Sequence, residues 1–286
     1  MALLALLSCP RKGESAFAIR YDWQRSGAMG VIMTKRILLA GETFTTSQSV
    51  SIGYDTLRSN AYANGALHFL AAMDGSGYEI EHLASERCEA EFPRHLQELA
   101  KYSGIILSDI GALSLLFSVE TRAGHLSQNR LVLLHDWVKQ GGGLMMAGGY
   151  NSFQGMMGTA RYSDTPVEEC LPVTCLPFAD GLEAPEGISP HVVADHPIVN
   201  GLDQSWPPVL GLNKVVLRSG DGCQMLTAAA YRGRQHPLLV VRHFGEGRSL
   251  AWMSDIGPHW MSQEFMKSPT YGKLMRNMVA WICRDI

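Results

Sequence analysis

The sequence lacks a strong excess of charge of either sign. Its 24 Lys and Arg stand against 27 Asp and Glu, which gives a formal net charge of -3, and charged residues make up 18% of the chain. A surface for nucleic acid or for an anionic membrane would need a concentration of basic residues. We therefore expect neither kind of partner, and a small molecule is the default ligand.

Long apolar runs are also missing. No stretch reaches the roughly 18 residues that a membrane-spanning helix needs. Residues 2–7 are apolar, but they are fewer than a signal-peptide core contains, and no basic segment precedes them. These absences predict a cytoplasmic protein with no membrane partner.

Cysteine is sparse and shows no metal-binding or disulfide pattern. The six cysteines are scattered along the chain. Cys170 and Cys175 are separated by four residues, whereas a zinc knuckle separates its thiolates by two. A chain of 286 residues can bury a core large enough to fold without disulfides. We expect reduced thiols, no metal and no cofactor.

The N-terminal 32 residues differ from the rest of the chain. Regular patterning begins near Arg36, and Met29 and Met33 stand just before it. We predict that residues 1–32 are an extension, either loosely attached or preceding the natural start of translation. Residues 33–286 are predicted to form one domain.

Short apolar runs that alternate with helical patterns indicate an α/β fold. Buried strands are predicted at residues 37–40, 104–107 and 144–147, each a continuous apolar run, and a further strand at 78–83. Strands and helices in alternation predict a doubly wound, mostly parallel sheet of the flavodoxin-like or Rossmann-like kind. The predicted helical stripes are Ala61, Leu67, Phe69, Leu70 and Met73; Leu96, Leu99 and Ala100; Leu131, Leu134, Trp137 and Val138; and Tyr271, Leu274, Met275, Met278, Val279 and Ile282.

Two segments depart from this alternation of strands and helices. Prolines become frequent after residue 159, which predicts an irregular Pro-rich insertion. Residues 43–59 are rich in Ser, Thr and Gly without a sustained period, which predicts a long loop. Some antiparallel pairing is predicted near the C terminus, because Gly245-Glu246-Gly247 suits a hairpin between strands. The strands predicted there are 215–218, 224–229, 238–243 and 249–253.

The carboxyl ends of the predicted strands are the expected ligand site, because open parallel sheets bind ligands there. Glu42 and Asp109 follow two of the strands, and Asp255 to His259 follow another. A glycine-flanked turn after residue 147 predicts that Tyr150 is exposed at the top of the sheet. Capping of following helices by Glu42 and Asp109 is the structural alternative.

Residues 148–154, with the sequence GGYNSFQ, resemble the elbow of class I glutamine amidotransferases, Gly-x-Cys-x-Gly-x-Gln. Tyr150 stands at the nucleophilic cysteine of that pattern, and Ser152 replaces its second glycine. His259 stands at the family's catalytic histidine, with Met261 at the glutamate of its His-x-Glu pattern. Residues 53–55, 195–202, 245–248 and 254–260 resemble a branch of glutamine amidotransferase-like proteins that is related to trehalose-utilization-type proteins. The resemblance covers the chain from about residue 35.

The resemblance implies a fold and a site but not the family's reaction. Amide hydrolysis there needs a thiolate, and a phenol with a pKa near 10 is a poor substitute. The leading hypothesis is a degenerate triad that binds a small polar metabolite or a partner protein. Its catalytic-position residues are His259, Tyr150 and Asp255, and its ligand-binding residues are Glu42, Asp109, Gly149, Asn151 and Trp260.

Two alternatives stay open at this stage. One is a hydrolase that uses His259 as a general base, oriented by Asp255 or Glu264, on a small sugar-like or amide substrate. The other is a non-catalytic homo-oligomer with residues 165–208 at its interface. A third, local alternative is that the ring of Tyr150 fills the pocket that the nucleophile would occupy.

Overall fold

A computed structural model describes residues 34–220 and 222–286. The predicted N-terminal extension, residues 1–32, lies outside the described residues. The strands are β1 Lys35–Gly41, β2 Thr43–Ile52, β3 Asp55–Asn64, β4 Tyr78–Leu83, β5 Gly104–Ser108, β6 Gly143–Ala147, β7 Val173–Cys175, β8 Gly181–Ile188, β9 Pro190–Val192, β10 Val209–Asn213, β11 Val215–Leu217, β12 Gln224–Tyr231, β13 Arg234–Phe244 and β14 Gly247–Trp252. The α-helices are α1 Leu67–Met73, α2 Cys88–Glu91, α3 Leu96–Leu99, α4 Ala112–Leu116, α5 Val119–Arg122, α6 Arg130–Lys139, α7 Pro166–Cys170, α8 Gln263–Lys267 and α9 Pro269–Ile282.

An eight-stranded sheet in the order β4-β1-β5-β6-β14-β13-β12-β9 organises the fold. The first five strands of that order pair in parallel, and the last three extend the sheet by antiparallel pairing. The parallel part has the order 2-1-3-4-5 of the flavodoxin-like fold, which confirms the predicted fold class. Its topological switch point lies between β1 and β5.

The central parallel strands are buried on both faces. Residues 37–40 of β1, all of β5 and β6, and residues 249–252 of β14 are shielded from solvent. Helix α9 covers one face, and all six residues predicted for its apolar stripe are buried. Ser268 caps this helix by accepting a hydrogen bond from the Tyr271 amide, and Pro269 occupies its first turn. Burial on both faces explains why the strand sequences are continuous apolar runs.

The C-terminal strands follow the predicted pattern with small shifts of their ends. Gly245 and Glu246 form the tight turn between β13 and β14, and these two strands pair antiparallel. Strand β14 then pairs in parallel with β6 on its other edge. This strand therefore joins the parallel part of the sheet to the antiparallel part.

The prediction of a long loop at residues 43–59 is wrong. The chain forms a β-hairpin there, with β2 and β3 paired in register from Thr43–Asn64 to Ile52–Asp55. Ala61, which the helical pattern assigned to a helix, belongs to β3, and α1 begins at Leu67. Because residues 45–63 are all exposed, no buried face imposed an apolar period on this stretch.

The Pro-rich segment contains short elements that pack beside the main sheet. Strand β8 pairs antiparallel with β10, and β7 pairs antiparallel with β11. Strand β9 forms the outer edge of the eight-stranded sheet. Among the described residues, no helix is both long enough and apolar enough to cross a membrane.

Close packing of α9 against β6 requires a glycine at the start of that strand. A Cβ atom at Gly143 would lie 2.1 Å from the carbonyl oxygen of Ile282. We expect Gly143→Ala to lower the free energy of unfolding by about 1–3 kcal/mol, the usual cost of overpacking, as measured by urea denaturation.

Gly272→Ala is the matched control, because Gly272 lies within α9 and its Cβ would meet only the end of the Arg276 side chain at 3.4 Å. Alanine is a better helix former, so this variant should be unchanged or more stable by up to about 1 kcal/mol. Equal stability of Gly143→Ala and the starting protein would contradict the packing argument.

Candidate functional site

The candidate site lies where β1, β5, β6 and β14 end. Glu42 follows β1 and Asp109 follows β5, so these acids flank the switch point of the sheet. Both have a positive φ, 60° for Glu42 and 46° for Asp109, and His259 after β14 has a φ of 105°. Non-glycine residues rarely adopt this region, and such strain concentrates at functional sites. Three of the nine described non-glycine residues with a positive φ are therefore positions at which the sequence predicted a site.

Glu42 and Asp255 form a buried carboxyl pair below the crevice. Their exposed fractions are 1% and 4%. Ser108 donates its hydroxyl to Glu42 Oε1 at 2.5 Å, and the Gly257 amide donates to Asp255 Oδ1 at 3.0 Å. Burial, followed by the charge of Asp109, raises the pKa of Glu42 to about 8. Burial and the charge of Glu42 also raise the pKa of Asp255. The pair therefore holds at least one proton at neutral pH.

Asp109 connects the switch point to the turn that carries Tyr150. Its Oδ1 accepts a hydrogen bond from the Asn151 amide at 2.5 Å, and its own amide donates to Ser152 Oγ at 3.0 Å. Burial raises the pKa of Asp109 to about 6. Ser152, which replaces the second glycine of the family pattern, thus accepts a hydrogen bond from the Asp109 amide. A Cβ at Gly149 would lie 2.8 Å from the Asp109 carboxyl carbon, so this contact requires glycine.

The helix-capping explanation of the two acids is wrong. Glu42 is followed by β2, so there is no helix for it to cap. The N-cap of α4 is Gly111, which has no side chain to cap the helix. Asp109 instead binds the backbone of the turn after β6.

Asn213 at the end of β10 fixes the other side of this turn. Its side-chain oxygen accepts from the Gly149 amide at 3.0 Å, and its side-chain nitrogen donates to the Gly149 carbonyl at 3.1 Å. The same nitrogen donates to Asp180 Oδ1 at 2.8 Å. Asn213 and Asp180 are fully buried. Sequence reasoning missed both residues, since neither follows a strand of the parallel sheet.

Tyr150 and His259 meet beyond the ends of β6 and β14. The Tyr150 hydroxyl lies 2.8 Å from His259 Nε2, and the two rings make an edge contact with centroids 4.4 Å apart. Burial lowers the pKa of His259 against the opposing effect of Glu183. Burial and the interaction with Glu183 raise the pKa of Tyr150 to about 12. At neutral pH the contact is therefore a hydrogen bond between a neutral phenol and a neutral imidazole.

Glu183 in β8 supplies the carboxylate beside His259. Glu183 Oε1 lies 3.6 Å from His259 Nε2 and accepts a hydrogen bond from Trp260 Nε1 at 3.0 Å. Trp260 is fully buried and stacks on the His259 ring with centroids 5.6 Å apart. Met261, at the glutamate position of the His-x-Glu pattern, is buried. No sequence pattern pointed to Glu183, because it belongs to the Pro-rich segment.

The site residues named from the sequence fall into two groups. An inner group of Glu42, Asp109 and Asp255 is buried, and an outer group of Tyr150, His259 and Trp260 surrounds Glu183. Asn151 and Gly149 join the groups through Asp109. Of the two proposed orienters of His259, Asp255 belongs to the inner group, and Glu264 lies exposed in the first turn of α8.

Four cysteines lie in the core, away from these groups. Burial raises the pKa of the thiols of Cys88, Cys170 and Cys283 to about 12, and it also raises the pKa of Cys175. A thiol acts as a nucleophile only as its thiolate. None of these four residues therefore carries an activated thiol at neutral pH.

Comparison with known families and structures adds to this geometry. A protein-family model described as "Putative glutamine amidotransferase" matches residues 36–284. The cytoplasmic protein STM3548 from Salmonella typhimurium is 35% identical, covers 86% of this chain and 98% of its own, and superposes with a TM-score of 0.80. The cytoplasmic protein STM1381 from Salmonella typhimurium LT2 is 31% identical, with 86% and 99% covered and a TM-score of 0.81.

A more distant structure shares the fold alone. A ThuA-like protein from Parabacteroides merdae is 13% identical, with 88% of this chain and 90% of its own covered, and has a TM-score of 0.54. The search of curated proteins finds no match.

The buried proton on Glu42 predicts a pH dependence of stability. The folded-state pKa of about 8 lies above that of an unfolded glutamate, about 4.3. The folded state therefore keeps a proton that the unfolded chain releases, so the stabilisation that Glu42 contributes is fully present below about pH 4.3 and is lost as the pH rises toward about 8. We expect the loss of this contribution to lower the free energy of unfolding by a few kcal/mol over this range in urea titrations.

Glu42→Gln should make this fall clearly shallower, because an amide keeps the contact with Ser108 and does not ionise. Glu264→Gln, which removes an exposed carboxylate from the first turn of α8, should follow the starting protein. The same slope in Glu42→Gln and in the starting protein would refute the assignment of the proton.

Proposed function

The chain belongs to the class I glutamine amidotransferase-like family, and from this premise we propose that it binds a small polar metabolite at the strand ends without thiolate chemistry. The observation that carries the proposal is the 2.8 Å hydrogen bond between Tyr150 and His259. The family has a cysteine and a histidine at these positions. Here the pair presents a neutral hydroxyl and a neutral imidazole, which suit hydrogen bonding to a ligand.

The charges beside this pair favour ligands that donate hydrogen bonds. The charged groups that raise the pKa of Tyr150 are the carboxylates of Glu183 and Asp109. Glu183 is half-exposed, and its Oε1 is fixed by Trp260. A carboxylate held in this way attracts hydroxyl and amine groups and repels anions. We therefore propose a neutral or cationic metabolite, such as a polyol or an amine, as the ligand class.

The hydrolase in which His259 is a general base is the second candidate. The lowered pKa of His259 supports it, because the imidazole is then free to accept a proton at neutral pH. In this candidate Glu183, rather than Asp255 or Glu264, lies beside Nε2 at 3.6 Å, where its charge would stabilise the imidazolium that forms. A water or substrate hydroxyl would have to replace the Tyr150 hydroxyl at Nε2.

The cytoplasm is the proposed location. The support for this proposal comes from the two Salmonella proteins, which are both described as cytoplasmic. The reduced state of the four core thiols is compatible with that compartment.

A thermal-shift screen with polyols, amines, carboxylates and phosphates tests the proposed ligand class. Neutral or cationic compounds should raise the unfolding temperature, since a ligand that binds the native state stabilises it. Tyr150→Phe, His259→Gln and Glu183→Gln should each weaken binding about tenfold, the effect of one lost hydrogen bond.

Tyr78→Phe is the control for the screen, because it removes a hydroxyl at the start of β4, the opposite end of the parallel strands from the candidate site. Its ligand response should equal that of the starting protein. The proposal fails if no compound shifts the unfolding temperature, or if the three site variants respond as the control does.

Glutaminase activity provides a separate test of the missing nucleophile. We expect no release of ammonia from glutamine above the level of a heat-denatured sample, because the phenol of Tyr150 stays protonated at neutral pH. An ammonia-release assay checks this. Turnover that disappears in Tyr150→Phe or His259→Gln would show that the site hydrolyses amides after all.

A further inference from the structure

The β2–β3 hairpin is an arm whose residues 45–63 are all exposed in the part of the chain that the structure describes. Each strand has ten residues, so at about 3.3 Å per residue the arm is roughly 33 Å long. Its base is held where Thr43 exchanges hydrogen bonds with Ser85 and donates to Glu86. Within the described chain, Tyr62 is the outermost arm residue with a bond beyond the hairpin, to Glu86 Oε1 at 3.2 Å.

The two faces of the arm differ in polarity. Side chains alternate along a strand, and directly paired residues share a face. One face carries Phe44, Thr46, Gln48, Val50, Ile52, Asp55, Leu57, Ser59, Ala61 and Ala63. The other face carries Thr45, Ser47, Ser49, Ser51, Thr56, Arg58, Asn60 and Tyr62. The arm is therefore amphipathic, although residues 34–220 and 222–286 provide no core for its apolar face.

The apolar side chains collect at the outer end of the arm. Val50 and Leu57 are a cross-strand pair with exposed fractions of 43% and 61%. Ile52 is 61% exposed, and Tyr54 in the turn is fully exposed at 109%. We call Val50, Ile52, Tyr54 and Leu57 the arm tip. Isolated two-stranded hairpins are at best marginally stable in water, so a long arm with an apolar tip needs a covering surface.

We propose that the arm tip is a homodimer interface, covered by the arm of a second copy of this chain. In a two-fold dimer the same patch meets itself, so the Val50–Leu57 face of one arm would pack on that of the other. A standard interface uses about 20–30 residues a side. The apolar face and turn of the arm offer eleven exposed residues, namely 46, 48, 50, 52–55, 57, 59, 61 and 63, so the contact between two arms would be about half of that size.

The charge of the arm is also suited to self-association. Residues 43–64 contain one acid, Asp55, and one base, Arg58, so the arm carries no net charge. Two like-charged arms would repel each other, and a partner of strong charge would find no complementary patch. This proposal goes beyond the ligand-binding site and does not depend on it.

The oligomeric state in solution tests the proposal. Light scattering and sedimentation of the full chain should give a mass of twice 31.4 kDa. Val50→Lys/Leu57→Lys places two charges on the apolar face and should raise the dimer Kd at least about tenfold. Ser51→Lys/Thr56→Lys is the matched control, because it adds the same charges to the neighbouring cross-strand pair on the polar face. The control should remain a dimer.

Three results would overturn the proposal. The starting protein could be a monomer at every concentration, the apolar-face variant could keep the same Kd, or both lysine variants could dissociate equally. Hydrogen exchange gives a second measurement that is independent of mass. Amides of residues 45–63 should exchange more slowly in the starting protein than in Val50→Lys/Leu57→Lys, and equally fast exchange in both would also overturn the proposal.

Discussion

The parallel pairing of β6 with β14 is the constraint on which the candidate site depends. It sets the turn after β6 against the end of β14, where the Gly148 amide donates to the carbonyls of Trp252 and Ser254 at 2.7 and 2.8 Å. A Cβ at Gly148 would lie 2.3 Å from the Met253 carbonyl oxygen. Tyr150 and His259 are 109 residues apart in sequence, and this pairing brings them into contact.

The inner carboxyls show how the sheet can hold acids without countercharges beside them. Glu42, Asp109 and Asp255 project from different strand ends into one buried volume, and burial is the largest influence on the pKa of each. Hydrogen bonds from Ser108 and from backbone amides satisfy their oxygens. Glu42 and Asp255 together keep a proton in place of a nearby cation, which is the usual outcome when carboxyls share a site away from water, whereas Asp109, with a pKa of about 6, is ionised at neutral pH.

Much of the fold follows from local sequence, because buried parallel strands must be continuous apolar runs and α9 must present one apolar face. The positions of Glu42 and Asp109 follow in turn, since each comes directly after a strand, and Tyr150 and His259 lie in the segments that follow β6 and β14. Glu183 could not be found in this way, because β8 reaches the site through its pairing with β10. The arm was also not predicted. Both of its faces are exposed, so its sequence lacks the sustained apolar pattern of a strand that packs on the core.

The arm leaves and rejoins the sheet at almost one point. The Gly65 amide donates to the Glu42 carbonyl at 2.8 Å, which closes the chain across the base of the hairpin. The hairpin residues between Glu42 and Gly65 thus form an insertion between β1 and α1 of the α/β fold. Such an insertion can lengthen, shorten or change sequence while the ends of β1 and α1 keep their places. The proposed dimer contact of the arm and the proposed ligand site at the strand ends can consequently change independently of each other.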